Sequence, residues 1–372
     1  MKIVHIITGL GDGGAEHTLY KICKYDKSNN HFVVSLKNPE KYYPLLNKLG
    51  IKVYCLNLKI YSIIKFIYLI QLLKNLKPDI VQTWLVHGDL VGGIAARLAG
   101  LKNIIWNVRY SNLEFGKAKL ITILILKILC KLSFFIPRLI IVVSKSAKKS
   151  CIELGYDTKK LYLITNGYDL TILKPFKVQK LRFKYKLKKK IPIIGKVARY
   201  DAKKDHSNLL NALHLLKKKN LKFNCVLVGK NVDKNNFNLI NQINVLELSN
   251  CIKLLGQKNS ILNIMNEIDL LVQSSSYGEG FPNVVAEAMA CGTPCVVTNV
   301  GDAASIVGKT GWVVPAKKPE KLASAIEKAL LFIEKNSFKK NNKSRLRIKK
   351  KFSIEKMLNQ YRIVWTKTTK VV

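Results

Sequence analysis

Glu279 and Glu287 stand with seven residues between them, on either side of Gly280-Phe281-Pro282-Asn283-Val284. The run before them, Ile268–Val272, reads as a buried strand, and Ser274-Ser275-Ser276-Tyr277-Gly278 as the loop it feeds. Helix formers follow Pro282, whose fixed φ and missing N–H suit a first helical position. The N–H groups of Phe281, Asn283 and Val284 would then point out of a helix N-terminus, where the helix dipole favours an anion. Carboxylates accept hydrogen bonds from hydroxyls and repel phosphate. A ligand with an anionic middle and hydroxyl-bearing ends satisfies both conditions, which describes a nucleotide diphosphate sugar.

The elements that must position these groups are those of an α/β protein. Strand-like runs rich in β-branched residues alternate with helix-length segments from Lys2–Thr8 onward, the pattern of a doubly wound parallel sheet. Ligands bind such sheets at the carboxyl ends of the strands. The first such loop, Gly9-Leu10-Gly11-Asp12-Gly13-Gly14, lets Gly13 and Gly14 bring backbone close to a diphosphate or an acceptor hydroxyl, or is a tight turn. Its spacing is not G-x-G-x-x-G, and no acidic residue ends the strand His31–Leu36, which excludes a dinucleotide fingerprint. His87 follows the strand Asp79–Trp84 at a position where either chemistry or a structural histidine is expected.

The 372 residues exceed what one core usually carries, so two domains are expected. The net charge of +41 calls for an anionic partner or reflects a lysine-rich composition. The excess is spread over the chain, with local densities at 180–190 and 339–351. Eight cysteines without a Cys-x2-Cys pair read as buried, reduced thiols, and no metal-ligand spacing appears. The first residues are too short an apolar run for a signal peptide, so a cytoplasmic location is expected. The run 119–137 is broken by Lys127 and Lys131 on one helical face, so it cannot span a bilayer. It reads as an amphipathic helix at an anionic membrane surface, or as a core helix with two solvated lysines.

The string EGFPNVVAEAMACGTPCVV, together with GGAEH after the first strand and NGYD at 166–169, resembles the retaining GT-B glycosyltransferases of the group 1 family. The resemblance covers essentially the whole chain. It implies two Rossmann-like domains facing across a cleft, with boundaries near 1–175 and 176–351 and a terminal helix, 352–372, crossing back to the first domain. It implies that Arg199 and Lys204 match the family's paired cations, which neutralise the donor diphosphate. Glu279 is expected at the hydroxyls of the donor sugar and Glu287 at those of the ribose. Where many relatives carry a histidine that contacts the transferred sugar, this chain places Arg109, which stays charged and cannot act as a base. Gly229-Lys230-Asn231 likewise departs from the family's Gly-Asp-Gly.

The resemblance further implies transfer from a nucleotide sugar with retention, UDP-linked first, without cofactor or metal, to a glycan or lipid-linked acceptor in bacterial surface-polysaccharide synthesis. The protein would work in the cytoplasm, peripherally on the inner face of the plasma membrane. A sugar-nucleotide epimerase of the same architecture is the alternative. A basic nucleic-acid-binding protein would also explain the charge, but no aromatic-interleaved basic stripe or binding module is present.

Overall fold

The computed structural model describes residues 1–58, 62–109, 120–188, 190–258, 260–336 and 340–370. The chain divides into two compact units, Met1–Gly167 with the terminal segment from Ile354, and Tyr168–Ser353.

The first unit is built on seven strands: β1 (Lys2–Ile7), β2 (Asn30–Ser35), β3 (Lys52–Cys55), β4 (Ile80–Trp84), β5 (Ile104–Val108), β6 (Leu139–Val142) and β7 (Leu161–Leu163). They lie in the order β3-β2-β1-β4-β5-β6-β7, every neighbouring pair parallel. Helices cover both faces, so β4 and β5 are buried along their whole length and need no polar alternation. The terminal helix Ile354–Lys370 packs in the core of this unit through Met357, Leu358, Tyr361 and Trp365.

The second unit holds β8 (Ile193–Val197), β9 (Asn224–Val228), β10 (Ile252–Leu254), β11 (Leu270–Gln273), β12 (Cys295–Thr298) and β13 (Trp312–Val314). Their order is β10-β9-β8-β11-β12-β13, again all parallel. Its core joins these strands to the helices His206–Lys218 and Pro319–Lys335, the latter with proline in the first turn as its sequence requires. Both units are Rossmann-like.

In each sheet the winding direction reverses once, between β1 and β4 and between β8 and β11. The loops leaving those strands flank a crevice with no sheet-crossing connection over it. They are the loops that carry Gly13, His87, Lys204 and Glu279.

Candidate active site

In the second unit, Arg199 and Lys204 leave β8, and the segment from Ser274 to Phe281 leaves β11, the two strands of the switch point. Lys204 ends a 3-10 turn, Ala202–Lys204, that is stitched to the β11 loop by a hydrogen bond from Ser276 N to Lys203 O at 2.9 Å. Its ammonium lies 2.6 Å from Glu279 Oε1. The same oxygen accepts from Ser275 Oγ at 2.6 Å and, more weakly, from Gln273 Nε2 at 3.5 Å. Burial alone would raise the Glu279 carboxyl, but Lys204 and these two donors outweigh it and hold it below the usual carboxylate range. Glu279 is therefore a buried, ionised acceptor, with its charge set against a lysine.

Beneath this pair sits Lys196, a lysine inside the otherwise apolar strand β8 and fully buried. Its ammonium donates to Lys204 O and Ser274 Oγ, both at 2.6 Å, while Ser274 Oγ donates to Asp205 O at 2.8 Å. Burial, with Lys204 nearby, pushes Lys196 down to about 7. Lys196 and Gln273 were not singled out from the sequence, and Ser274 and Ser275 were read only as part of the loop. The signal was a charged residue in a buried-strand run, which nothing but a local partner can stabilise.

Arg199 is placed differently. Its side chain is 61% exposed and its Nε is held by Asp201 Oδ2 at 3.0 Å. It stands on the same loop as Lys204, turned to its own neighbour.

The helix expected after Pro282 runs Asn283–Ala290, with Pro282 as its N-cap at φ −70° and ψ 97° rather than as its first helical residue. Phe281 turns inward, stacked on Tyr168 at 6.4 Å between ring centres and edge-on to Phe352 at 5.4 Å. Asn283 Oδ1 accepts from Tyr168 Oη at 2.5 Å, which fixes the helix start. Val284 and Glu287 are half-buried on this helix, Glu287 one turn in. The loop backbone before it is closed by the turn after β12. Asp302 N donates to Gly280 O at 2.9 Å, and Gly301, at φ +61°, lies where an added Cβ would come 2.4 Å from Glu279 O. Only glycine fits both the left-handed backbone and that approach.

In the first unit, Gly13 is the N-cap of the helix Gly14–Tyr25, and a Cβ on it would meet Glu16 Oε2 at 2.3 Å. Glu40 Oε2 accepts from Leu10 N at 2.8 Å in the same loop, and Asp12 pairs with Lys41 at 2.8 Å. Burial first, then the charges of Glu40 and Asp12 against that of Arg109, raise the Glu16 carboxyl. Carboxylates thus gather at Gly13 and Gly14, a setting that favours hydroxyl groups over phosphate.

His87 is exposed where the chain leaves β4, two residues after Leu85, a leucine held at φ +68°. The chain continues as a π-turn, Gly88–Gly92, between helical segments Leu85–His87 and Gly93–Leu98. Arg109 follows β5 and is engaged within its own unit: Nη1 donates to Asn166 Oδ1 at 2.6 Å, Nη2 to Tyr361 Oη at 3.3 Å, and the guanidinium lies 5.1 Å from the Trp84 ring centre. The residues that follow it, Tyr110, Ser111 and Asn112, lie outside the described residues, as do Lys119 of the apolar run 119–137 and Lys189 and Lys339 of the two lysine-rich stretches.

Among the described residues one group, His5, Cys23 and His31, brings three metal-capable atoms together. Its ring nitrogens are already spent. Trp84 Nε1 donates to His5 Nδ1 at 3.2 Å, which leaves the His5 proton on Nε2 facing His31 Nδ1 at 3.0 Å, and His31 Nε2 donates to Asp26 at 3.1 Å.

Residues 177–345 match the family model of glycosyl transferases group 1, and residues 12–172 that of Glycosyltransferase Family 4. The chain is 31% identical over 255 residues to the Escherichia coli UDP-Gal:alpha-D-GlcNAc-diphosphoundecaprenol alpha-1,3-galactosyltransferase, covering 66% of this chain and 64% of that one, so it spans just under two thirds of that relative's length. It is 28% identical over 298 residues to a Campylobacter jejuni N,N'-diacetylbacillosaminyl-diphospho-undecaprenol alpha-1,3-N-acetylgalactosaminyltransferase, covering 76% and 77% of the two chains. In structure it is similar to Anabaena HepE crystallised in complex with UDP, at a TM-score of 0.86 and 22% identity over 99% of this chain and 100% of that one. A glycosyltransferase from Rickettsia africae superposes at 0.85 and 22% identity, over 100% and 99%. With both halves matched by glycosyltransferase models and the whole chain superposing on these structures, the chain belongs to the group 1 glycosyltransferases of GT-B fold.

Proposed function

We propose that this protein transfers a sugar, with retention of anomeric configuration, from a UDP-sugar to a lipid-linked glycan acceptor during assembly of a bacterial surface polysaccharide. The observation that carries the reading is the pairing of half-buried Lys204 with buried Glu279, 2.6 Å apart, on the two loops of the second sheet's switch point. One member attracts a diphosphate and the other accepts from sugar hydroxyls, so the two ends of the ligand are recognised by opposite charges held against each other. The UDP choice draws on the galactosyltransferase relative, named for UDP-Gal, and on the HepE complex. Both transferase relatives are named for sugars on a diphosphoundecaprenol carrier.

In this reading Lys204 and the N–H groups of Gly280, Phe281, Asn283 and Val284 hold the diphosphate, joined by Arg199 once it exchanges Asp201 for the ligand. Glu287 takes the ribose hydroxyls. The bond from the sugar's anomeric carbon to the diphosphate breaks, the acceptor oxygen bonds to the same face, and its proton passes to the departing phosphate oxygen. Negative charge grows on the diphosphate in the transition state, where a fixed cation gains more than in the ground state. On the first unit, the acid-lined loop at Gly13 and Gly14 and the exposed His87 suit acceptor hydroxyls. Arg109, engaged by Asn166, Tyr361 and Trp84, is the weaker candidate for ligand contact. The transferred sugar is a hexose or an N-acetylhexosamine, and transfer takes place at the cytoplasmic face of the membrane.

Thermal shift with UDP-, GDP- and ADP-sugars on wild type and on Glu287→Ala tests the site, because a ligand bound only by the folded form raises Tm by mass action. A UDP-sugar should shift wild type and leave the variant unmoved. No shift in wild type, or an equal shift in both, rejects the assignment, and the anomeric signal of the product by NMR decides retention.

A further inference from the structure

Strand β8 lies inside the second sheet, paired with β9 on one side and β11 on the other. Side chains alternate along a strand, so Lys196 shares a face with Ile194, a core residue clustered with Leu209 and Leu213 of the helix His206–Lys218. A lysine there is unfavourable on three counts. It is 2% exposed. Its ammonium lies against Lys204 O, one residue before the helix's N-cap Asp205, where the helix dipole disfavours a cation. Lys204 adds a like charge nearby, which Asp205 and Glu279 oppose. The hydrogen bonds it makes go to a carbonyl and a hydroxyl rather than to a carboxylate. His206, buried at the start of the same helix, is held far below the usual histidine range by burial and by these two lysines, so it stays neutral. A methionine of similar length would fill the space at lower cost. Residues that break local rules in this way are expected where function requires them.

The partners of Lys196 show what is required. Its ammonium donates to Lys204 O on the β8 loop and to Ser274 Oγ on the β11 loop, both at 2.6 Å, so one group spans the two loops of the switch point. Ser274 Oγ in turn donates to Asp205 O at 2.8 Å. Asp205 stands at φ +45°, a left-handed conformation that a residue other than glycine keeps only where its surroundings impose it. The residues gripped in this way are neighbours of the working groups. Lys204 itself carries the ammonium that meets Glu279, and Ser274 precedes Ser275, which donates to the same Glu279 oxygen. The backbone stitch between these loops, Ser276 N to Lys203 O, is longer at 2.9 Å and lies at a half-buried residue. The buried, charge-assisted bonds are the shorter and stronger ones.

We infer that Lys196 is a positioning residue of the donor site: by clamping Lys204 O and Ser274 Oγ it fixes the spacing of the two loops and so holds the Lys204 ammonium where the diphosphate binds. It acts through Lys204. The inference rests on the donor site proposed above.

A double-mutant cycle over Lys196→Met and Lys204→Ala tests it, read both as the Kd of UDP by calorimetry and as kcat/KM for transfer from a UDP-sugar. Lys196→Met should cut kcat/KM about 10–100-fold through a misplaced Lys204, and raise the Kd of UDP about fivefold. In the Lys204→Ala background the same change should cost less than about threefold on either measure, because its route of action is gone. At pH 7 the Tm of Lys196→Met should stay at or above that of wild type, which separates a role in the site from a role in the fold. Ser274→Ala removes one anchor and leaves the lysine; it should show the same non-additive pattern with a smaller loss, and it decides the matter should Lys196→Met lose the fold. Losses that multiply with Lys204→Ala, or unchanged kcat/KM and Kd, overturn the positioning role. Wild type that binds UDP with the non-additive pattern yet transfers no sugar leaves the clamp standing and sinks the functional reading, and transfer with multiplying losses does the reverse. Wild type that neither binds UDP nor transfers overturns both.

Discussion

Glu279 accepts three hydrogen bonds on one oxygen, from Lys204, Ser275 and Gln273, and this crowding tells what each partner does. Removing the ammonium leaves an ionised carboxylate in a buried place without its counter-charge, a costly state. Lys204→Ala should therefore lower kcat/KM for a UDP-sugar by about 10²–10³-fold, the range for loss of one charge-stabilising group. Lys204→Arg, too wide for the 2.6 Å approach, should restore little of it. Steady-state kinetics with both variants decides. Lys196 makes a separate prediction in pH. Its folded value of about 7 lies below the ordinary lysine value of 10.5, so the unfolded chain binds more protons between the two. Stability from this group is fully present above the unfolded value and is lost as pH falls through about 7. The Tm of wild type should rise, relative to that of Lys196→Met, as pH goes from about 7 towards 10. Parallel Tm curves for the two proteins would show that Lys196 is not held in this environment.

At the scale of elements, the alternation of β-branched runs with helix-length segments made the doubly wound sheets legible, and it fixed which loops leave the carboxyl ends. Glu279 and His87 were placed on strand-end loops that way, since the chemistry of such a loop is written in local residue types, whereas Lys204 entered only through the family resemblance. What was not legible depended on neighbours distant in the chain. Pro282 caps its helix instead of starting it because its ψ of 97° is non-helical, in a turn where Phe281 is drawn into an aromatic cluster with Tyr168 and Phe352. The lysine-rich run after 341 stood out in the sequence only as a local density of charge. It forms the helix Asn342–Phe352 because Asn341 caps it and Ile348 and Phe352 are buried. Gly301 gave no signal at all, as its need arises from the Glu279 carbonyl 22 residues earlier. That makes it a sharp test of the element. Gly301→Ala puts a methyl where the Glu279–Gly280 backbone lies, at a φ that costs alanine about 1–2 kcal/mol. The loop must move, so the KM for the UDP-sugar should rise more than kcat falls. A variant with unchanged KM would show that the turn does not set the site.

For the whole molecule, the first unit is made from two separated stretches of chain, and its terminal helix is tied in by polar as well as apolar contacts. Trp365 Nε1 donates to Gln82 Oε1 at 2.7 Å, Tyr361 Oη accepts from Asn107 Nδ2 at 2.9 Å, and Arg362 meets Asp26 at 2.7 Å. The last contact ends the buried line that starts at Trp84 and passes through His5 and His31. Burial would raise the Asp26 carboxyl, but hydrogen bonds from His31, Asn29 and Arg362 outweigh it and hold it well below the usual range. A depressed carboxylate stabilises the fold above its unfolded value and loses that contribution as pH falls through the folded one. Arg362→Ala should thus move acid unfolding, followed by circular dichroism, to higher pH, while Lys367→Ala on the same helix should not. Trp365 presents the larger stake. It is fully buried among the first unit's core residues, and truncation to alanine loses an aromatic side chain together with the Gln82 bond, a cost of about 3–5 kcal/mol. Calorimetry of Trp365→Ala should show one component of the unfolding profile lowered by several degrees. A second component, the one a UDP-sugar raises, should stay where it is in wild type, because donor binding is assigned to Tyr168–Ser353 and the tryptophan to the other unit. If the ligand-responsive component falls with the mutation, the donor site depends on the first unit's core, and its assignment to the second unit alone is wrong.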